Sequence, residues 1–206
     1  MFLGNNMTEV ICMENSLKGS KTAENLMKAF AGESQARNRY TFYAEKAQQE
    51  KYIDIYNIFN ETAHNEKYHA ERFFRFLNTD FKGEQIGISN AGFPVELGTT
   101  LENLQAAAAG EHEEHSILYP AWAKEAAEEG FDEISTVFTL VAEVEKKHEQ
   151  RFQTYAQRIS NNQLFRQAGT VKWVCLECGH THEGLEAPDV CPICSRPKGF
   201  FKLQQG

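Results

Sequence analysis

Apolar positions along most of the chain follow the period of an α-helix. Between residues 20 and 160 they recur every three or four positions, and Gly and Pro interrupt the pattern at few places. The segment 77–98 contains several Gly and a Pro, and we expect a long connection there. Pro120 predicts a kink in the third helix. The pattern therefore predicts four helices, over about 20–50, 52–78, 99–129 and 131–160.

Each predicted helix carries an acidic residue in the middle of its apolar stripe. The acidic positions are Glu33, Glu66, Glu111, Glu114 and Glu145, and His69 and His148 follow two of them by three residues. A single Glu on a helix is usually solvated. Five ionised carboxylates in one core would each cost several kcal/mol, and the same stripes supply no Lys or Arg to pair with them. The set therefore requires another source of positive charge.

The two halves of the helical region repeat one another. The motif Glu-x-x-His occurs at 66–69 and again at 145–148, and the triplet AGE occurs at 31–33 and again at 109–111. Within the first half 33 residues separate the two acidic positions, and within the second half 34 residues do. The repeat predicts two helical hairpins related by a pseudo-two-fold axis.

Two divalent cations would offset this negative charge better than protonation of all the carboxylates. Residues three apart on a helix lie on neighbouring turns of one face, so a Glu-x-x-His pair can bind one ion. Oxygen ligands with some imidazole suit iron or manganese better than copper or structural zinc. One Glu from each of two helices and a Glu-x-x-His from each of the others is the ligand set of ferritin-like di-metal bundles. We therefore predict an all-α, ferritin-like four-helix bundle.

The sequence does not assign a single role to the other polar residues near the stripes. Tyr40 and Tyr119 could reach inward and hydrogen-bond to the ligands, or could simply belong to the core. His64, His112 and His115 lie off the shared stripes or beside them. We expect these three histidines at the surface or next to the ligands.

Four of the five cysteines lie close together near the C-terminus. They form two Cys-x-x-Cys pairs, Cys175/Cys178 and Cys191/Cys194, separated by a spacer of 12 residues. Two such pairs build a tetrahedral thiolate site, without which so short a segment could hardly fold. Zinc and iron sites use the same spacing, so the metal stays open at this point. Cys12 has no visible partner.

The predicted domains follow from these motifs. We expect a disordered leader over 1–15, the bundle over 16–162 and a small metal-binding domain over 168–206, with His180 and His182 at its surface. The formal net charge of −8 and the lack of a basic stripe argue against nucleic acid as a partner. No apolar run reaches the roughly 20 residues of a membrane span. The N-terminus lacks the features of a signal peptide, so we expect a cytoplasmic protein.

The chain resembles the rubrerythrin family from about residue 16 onward. The motifs that carry the resemblance are LKGSKTAENLMKAFAGESQARNRY, NEKYHAERF, AGEHEEHSILYP, VEKKHEQRF and the rubredoxin-like WVCLECGH and CPICSRPK. The resemblance implies a ferritin-like di-iron bundle followed by a rubredoxin-like domain. It implies reduction of hydrogen peroxide to water at the di-iron centre, with electrons relayed through an FeCys4 centre. It also implies a head-to-tail homodimer whose electron donor is rubredoxin or a reduced-nicotinamide-dependent rubredoxin reductase.

The resemblance also implies the role of each residue. The implied di-iron ligands are Glu33, Glu66, His69, Glu111, Glu114, Glu145 and His148, and the implied FeCys4 ligands are Cys175, Cys178, Cys191 and Cys194. His69 and Glu114 are implied to alternate as ligands when the centre changes redox state, and zinc can substitute for iron. Ala36 stands where the first hairpin would carry a counterpart of Glu114, and His180 stands where many relatives carry Tyr.

Three other functions compete with the peroxidase. A ferroxidase or iron-storage protein would need a cage-forming oligomer and no internal electron path, so a redox-active C-terminal domain argues against it. An oxidase acting on an organic substrate would need an apolar channel. A purely structural metal-binding scaffold is disfavoured by five carboxylates around an open site.

Overall fold

The computed structural model describes residues 16–204 and shows a helical bundle followed by a small β-sheet domain. The leader predicted for 1–15, with Cys12 in it, lies outside the described residues. Within 16–204, none of the helices combines the length and the apolar composition that a membrane crossing requires.

The bundle contains three long uninterrupted helices and one that is built from three pieces. The uninterrupted helices are α1 (Lys21–Gln49), α2 (Ile53–Phe81) and α5 (Asp132–Ser160). The composite helix contains α3 (Thr100–Glu113), a π-helical segment (Glu114–Leu118) and α4 (Tyr119–Glu128). α1 packs along α2, and the composite helix packs along α5. The predicted all-α four-helix bundle is confirmed.

One helix end and one helix interruption differ from those predicted. α2 continues to Phe81 instead of ending near residue 78, because Leu77 and Phe81 extend its apolar stripe and pack against the core. The composite helix is interrupted by the π-helical segment and not by Pro120. Pro120 lies in the first turn of α4, where a missing N–H is tolerated.

The connection between the hairpins is fixed against α1. The Tyr43 hydroxyl donates to the Glu96 carbonyl (2.9 Å), and the Ser89 hydroxyl donates to Glu24 Oε1 (3.1 Å). At the end of the connection the Thr100 N–H donates to Glu50 Oε2 (3.1 Å). Both hairpins of one chain thus form the same bundle.

Side chains also fix the start of α1. Ser20 caps the helix by accepting a hydrogen bond from the Ala23 N–H (3.0 Å). The Glu129 carboxylate, just beyond α4, accepts from the N–H groups of Lys21 (3.0 Å) and Thr22 (2.8 Å). An anion at a helix N-terminus is favourable because the first N–H groups have no partner in the helix. The two hairpins are therefore joined at this end of the bundle.

Two apolar clusters fill the bundle, one toward each end. Along α2, Phe59 and Phe73 are fully buried and belong to different clusters, seven residues before and after Glu66. Along α5, Phe138 and Phe152 stand in the same relation to Glu145. The bundle core is therefore apolar, then acidic, then apolar again.

The C-terminal domain is a three-stranded antiparallel sheet with strand order β2-β1-β3. Its strands are β1 (Arg166–Cys175), β2 (Thr181–Glu186) and β3 (Phe201–Leu203), and a 3₁₀ turn (Lys198–Phe200) precedes β3. Trp173 is fully buried in its small core, and the Trp173 indole N–H donates to the Gly184 carbonyl (3.1 Å). The core is too small to explain the fold without the cysteine site beside it.

The domain packs against the turn between α1 and α2 at a contact that only glycine permits. A Cβ on Gly199 would lie 1.7 Å from the Lys51 carbonyl oxygen. Nearby, the rings of Tyr52 and Phe165 stack with centroids 6.2 Å apart.

Replacing Gly199 with Ala should weaken this contact. The backbone of Lys51 cannot retreat like a flexible side chain, so we expect the stability of the C-terminal domain to fall by about 1–3 kcal/mol. Denaturant unfolding followed by loss of the cysteine-site metal absorbance measures this. Gly169→Ala is the matched control, because a Cβ there meets no atom within 4 Å. Equal stability of the two variants would contradict the prediction.

Candidate metal centres

The stripe carboxylates meet between the two apolar clusters. Glu33, Glu66, Glu111 and Glu145 are at most 1% exposed. Their oxygens and two histidine nitrogens form two groups, in each of which the ligand atoms lie within 4.8 Å of one another: Glu33, Glu66, His69 and Glu145, and Glu66, Glu111, Glu145 and His148. Glu66 and Glu145 belong to both groups.

The two shared carboxylates divide their oxygens between the two groups. His69 Nδ1 lies 2.9 Å from Glu66 Oε2 and 2.8 Å from Glu145 Oε1. His148 Nδ1 lies 3.3 Å from Glu66 Oε1 and 2.7 Å from Glu145 Oε2. Each shared carboxylate thus presents one oxygen to each side, which is the arrangement of a bridging ligand.

The remaining carboxylates complete the symmetry. Glu33 Oε1 lies 3.8 Å from His69 Nδ1, and Glu111 Oε1 lies 4.0 Å from His148 Nδ1. Each group therefore has one carboxylate of its own, one histidine and a share of the two bridging carboxylates. This is the pseudo-two-fold arrangement that the repeat predicts.

Two tyrosines hold these outer carboxylates from the opposite hairpin. The Tyr40 hydroxyl, on α1, donates to Glu111 Oε1 (2.6 Å), and the Tyr119 hydroxyl, on α4, donates to Glu33 Oε1. Burial and the nearby carboxylates raise the pKa of both phenols well above the usual value, so each stays a donor. The sequence allowed these tyrosines either to hydrogen-bond to the ligands or only to fill the core. The structure shows the hydrogen bonds.

Many polar atoms at this site have no hydrogen bond of acceptable geometry among the described residues. They are Glu33 Oε2, both oxygens of Glu66, Glu111 Oε2, both oxygens of Glu145 and the Nδ1 atoms of His69 and His148. Buried polar atoms in proteins are nearly always paired. Unpaired atoms that converge in two groups are what two metal ions would need, so the donor set fits a di-metal centre.

The pKa values show how strongly this cluster attracts positive charge. Burial, and then the charge of Glu145, raise the pKa of Glu33 and Glu111 well above the usual value. Although burial opposes the charged imidazole, the carboxylates of Glu145 and Glu66 raise the pKa of His69 to about 11 and that of His148 to about 9. Protons and divalent cations therefore compete for the same atoms.

Glu114 lies beside the two groups and belongs to neither of them. It is the first residue of the π-helical segment and is partly exposed. Its Oε1 lies 3.9 Å from the position that a Cβ on Gly32 would take. Burial, and then the charges of Glu145 and Glu66, raise the pKa of Glu114 well above the usual value. The structure thus places His69, but not Glu114, in ligand position.

The π-helical segment accounts for the unequal spacing in the two halves. Tyr40 follows Glu33 by seven residues, whereas Tyr119 follows Glu111 by eight. The additional residue is taken up in the wider turn of Glu114–Leu118, so Tyr119 still reaches Glu33. The additional residue is visible in the sequence, because the two acidic positions are 33 residues apart in the first half and 34 in the second. The π-helical segment itself was not predicted.

The four cysteines form the second candidate centre. All four Sγ atoms lie within 4.8 Å of one another, with Cys175 and Cys194 at 3.7 Å and Cys178 and Cys191 at 3.6 Å. A tetrahedral ion with bonds of about 2.3 Å would hold its sulfurs roughly 3.8 Å apart, whereas a disulfide needs about 2.05 Å. The spacing fits a metal ion.

Each pair of cysteines sits on a similar turn. The Gly179 N–H donates to the Cys175 carbonyl, and the Ser195 N–H donates to the Cys191 carbonyl, both at 2.9 Å. Gly179 and Ser195 both have left-handed backbones, with φ of 76° and 59°. Cys175 is buried, whereas Cys178 is exposed.

The other histidines of the sequence stand outside these two centres. His64 and His112 are exposed, and His180 and His182 are partly exposed. His112 and His115 contact Glu149. The prediction that they lie at the surface or beside the ligands is consistent with these positions.

The fold and the two centres define a ferritin-like di-metal carboxylate protein with a rubredoxin-like domain. The chain matches the rubrerythrin family model over residues 24–156 and the model of the rubrerythrin rubredoxin-like domain over residues 173–202. The chain belongs to the rubrerythrin family, as its motifs predicted, and the iron cofactors predicted for both centres are those of the family.

Individual relatives agree with this assignment. The chain is 52% identical over 188 residues to rubrerythrin-1 of Clostridium acetobutylicum, a match covering 91% of this chain and 96% of the relative. It is 45% identical over 189 residues to rubrerythrin of Nitratidesulfovibrio vulgaris, with the same coverage of 91% and 96%. Among solved structures, mixed-valence nigerythrin aligns with a TM-score of 0.61 and 29% identity, over 99% of this chain and 100% of that one.

Replacing Glu145 with Gln should empty the buried centre of the bundle. The amide removes a negative charge that both groups share and replaces one of the two bridging oxygens with an NH₂ group, so we expect the bundle to retain less than one iron instead of two. Iron analysis together with the visible spectrum of the cysteine site separates the two pools of metal. Glu143→Gln, on the exposed face of the same helix, is the control. Full loading of Glu145→Gln would contradict the bridging position.

Proposed function

We propose that the chain is a peroxidase that reduces hydrogen peroxide to water at a di-iron centre, with electrons delivered through the FeCys4 centre. The observation that carries the proposal is the sharing of Glu66 and Glu145 between two histidine-containing groups. Such sharing would set two ions side by side, so that each oxygen of a peroxide O–O bond could contact one ion. Membership in the rubrerythrin family supports iron at both centres.

The proposed ligands follow from the two groups. Glu33 and His69 would hold one iron, Glu111 and His148 would hold the other, and Glu66 and Glu145 would be shared between them. Cys175, Cys178, Cys191 and Cys194 hold the third iron, and zinc fits the same thiolate cage.

The reaction consumes one hydrogen peroxide, two electrons and two protons and yields two waters. Two ferrous ions, when bound, would supply both electrons for cleavage of the O–O bond and a Lewis-acidic partner for each oxygen. The chain's own residues keep the geometry: Tyr40 and Tyr119 orient Glu111 and Glu33 by hydrogen bonds. The apolar clusters on both sides limit access of bulk water and leave the carboxylates in place.

Glu114 is proposed as the alternative ligand to His69. It lies next to the site, on a segment whose turn is wider than that of an α-helix, and it has no counterpart in the first hairpin. His69 is in ligand position while Glu114 is not. A change of redox state that draws Glu114 inward would release His69.

The electron path is proposed to run between two chains. The C-terminal domain packs beside Lys51, whereas Glu66 lies 13 residues into α2 from Ile53, about 20 Å along the helix axis. A head-to-tail homodimer would bring the exposed Cys178 edge of one chain near the di-iron centre of the other. Rubredoxin or a reduced-nicotinamide-dependent rubredoxin reductase is the proposed donor, and a cytoplasmic location suits reduced thiolate ligands.

Peroxide should oxidise the fully reduced protein quickly. Mixing anaerobically reduced, iron-loaded protein with stoichiometric hydrogen peroxide should restore the oxidised spectra of both centres within seconds. Cys178→Ser should keep the di-iron centre loaded and oxidisable once, but should lose donor-driven turnover because the electron relay is broken. Stopped-flow absorbance and a steady-state assay with an electron donor measure the two effects.

Other outcomes separate the alternatives. Reduced spectra that peroxide leaves unchanged would refute the peroxidase. Faster reoxidation by dioxygen than by peroxide, with iron accumulating beyond the two bundle sites, would favour the ferroxidase. Full turnover of Cys178→Ser would place the cysteine site off the electron path.

Glu114→Ala should slow peroxide cleavage by at least about tenfold while both irons remain bound, because the six residues in ligand position are unchanged. Iron analysis and single-turnover kinetics check the two parts of this prediction. Glu113→Ala removes the exposed neighbouring acid and should react like wild type. Wild-type kinetics in Glu114→Ala would remove Glu114 from the ligand exchange.

A further inference from the structure

We propose that His112, His115 and Glu149 form an additional binding site for a divalent transition-metal ion, Fe²⁺ or Zn²⁺, on the surface of the bundle beside the buried centre. The inference does not depend on the proposed peroxidase activity, because it rests on the ligand atoms of these three side chains.

The three side chains converge on one point. His115 Nε2 lies 2.6 Å from Glu149 Oε2, and His112 Nδ1 lies 3.1 Å from Glu149 Oε1. All three ligand atoms lie within 4.8 Å of one another, and the two imidazole centroids are 5.3 Å apart. Both histidines thus face the same carboxylate, one at each oxygen.

The buried centre provides a standard for these distances within the same chain. There the histidine nitrogens lie 2.7 to 3.3 Å from the oxygens of the shared carboxylates. The outer distances of 2.6 and 3.1 Å fall close to that range. A metal ion with bonds of about 2.0–2.2 Å to nitrogen and oxygen holds neighbouring ligand atoms roughly 3 Å apart in octahedral geometry and roughly 3.4 Å apart in tetrahedral geometry.

The outer site is built on the same backbone as the inner one. Each of its residues directly follows a proposed inner ligand: His112 follows Glu111, His115 follows Glu114 and Glu149 follows His148. Successive residues on a helix are turned by about 100°, so the outer side chains leave from the neighbouring face. The helices that position the buried centre therefore also position the outer ligands.

The ligand set and its exposure favour a transition metal with open coordination positions. Two imidazoles and one carboxylate suit Fe²⁺ or Zn²⁺, with water in the remaining positions. The His112 side chain is 60% exposed, whereas those of His115 and Glu149 are 14% and 12% exposed, so an ion can enter from solvent onto two nearly fixed ligands. The Gln153 amide donates to Glu149 Oε1 (2.7 Å) and orients the carboxylate.

The competing explanation is a hydrogen-bonded cluster that never binds metal. Titration of untagged protein, with both iron centres already loaded and oxidised, distinguishes the two. Isothermal titration with Zn²⁺ should show one further equivalent per chain in the wild type. His115→Gln and Glu149→Gln should each weaken it by at least about tenfold. His64→Gln, which removes an exposed histidine elsewhere, should bind like wild type.

A second measurement identifies the ligands directly. Co²⁺ added to the same iron-loaded protein should give visible ligand-field bands that His115→Gln abolishes and His64→Gln retains. Unchanged iron spectra show that the variants keep their fold. Absence of the further equivalent in the wild type, or its survival in both His115→Gln and Glu149→Gln, would overturn the proposal.

Discussion

Four carboxylates in the middle of a helical bundle are the constraint on which the rest of the structure depends. Glu33, Glu66, Glu111 and Glu145 are almost completely buried, and removing an ionised carboxylate from water costs several kcal/mol. Two tyrosine hydroxyls and two histidines offset part of this cost, but most of the oxygens remain unpaired. Apolar clusters on both sides supply the packing that holds the acidic layer in place. Metal binding and folding are therefore coupled, because the cation completes an interaction that the side chains alone leave unfinished.

The ligand positions of the two hairpins correspond, but the second hairpin has one inserted residue and one additional acid, Glu114, close to each other. Corresponding carboxylates and histidines occupy equivalent positions in the two groups. The second hairpin contains one additional residue, which the π-helical segment absorbs without displacing Tyr119 from Glu33. π-helical turns are uncommon and often mark functional sites. Here the segment begins at Glu114, the acid that has no counterpart in the first hairpin, where Ala36 stands.

Much of this arrangement could be predicted from the sequence, because a helix converts spacing into position. The stripes, the repeated Glu-x-x-His and the cysteine spacing gave the fold class and brought together six of the seven proposed di-iron ligands. The predicted end of α2, near residue 78, was too early. The polar residues after Leu77 are typical of a connection, and only the structure shows that Phe81 packs against the core. Periodicity turned Tyr40 and Tyr119 inward but did not identify their partners, because those partners lie on another helix. The contact of Glu149 with two histidines also crosses between helices and was not predicted. The acidic positions are 33 residues apart in the first hairpin and 34 in the second, which is consistent with one inserted residue. This difference does not show where in the helix the wider turn lies.

The π-helical segment also connects the buried centre with the proposed outer metal site. Glu114 and His115 are consecutive within it: the Glu114 carboxylate lies beside Gly32 of α1, whereas His115 contacts Glu149 of α5. Glu149 and His148 are consecutive on α5 in the same way, but α5 is regular and 29 residues long. His148 and Glu149 therefore lie on a regular helix, whereas Glu114 and His115 lie on the segment with the less regular backbone. Because the side chains of Glu114 and His115 share that backbone, a shift that moves Glu114 toward the buried carboxylates also displaces His115 relative to Glu149. The proposed ligand exchange inside the bundle and the proposed metal binding at its surface would thus be constrained by the same few residues.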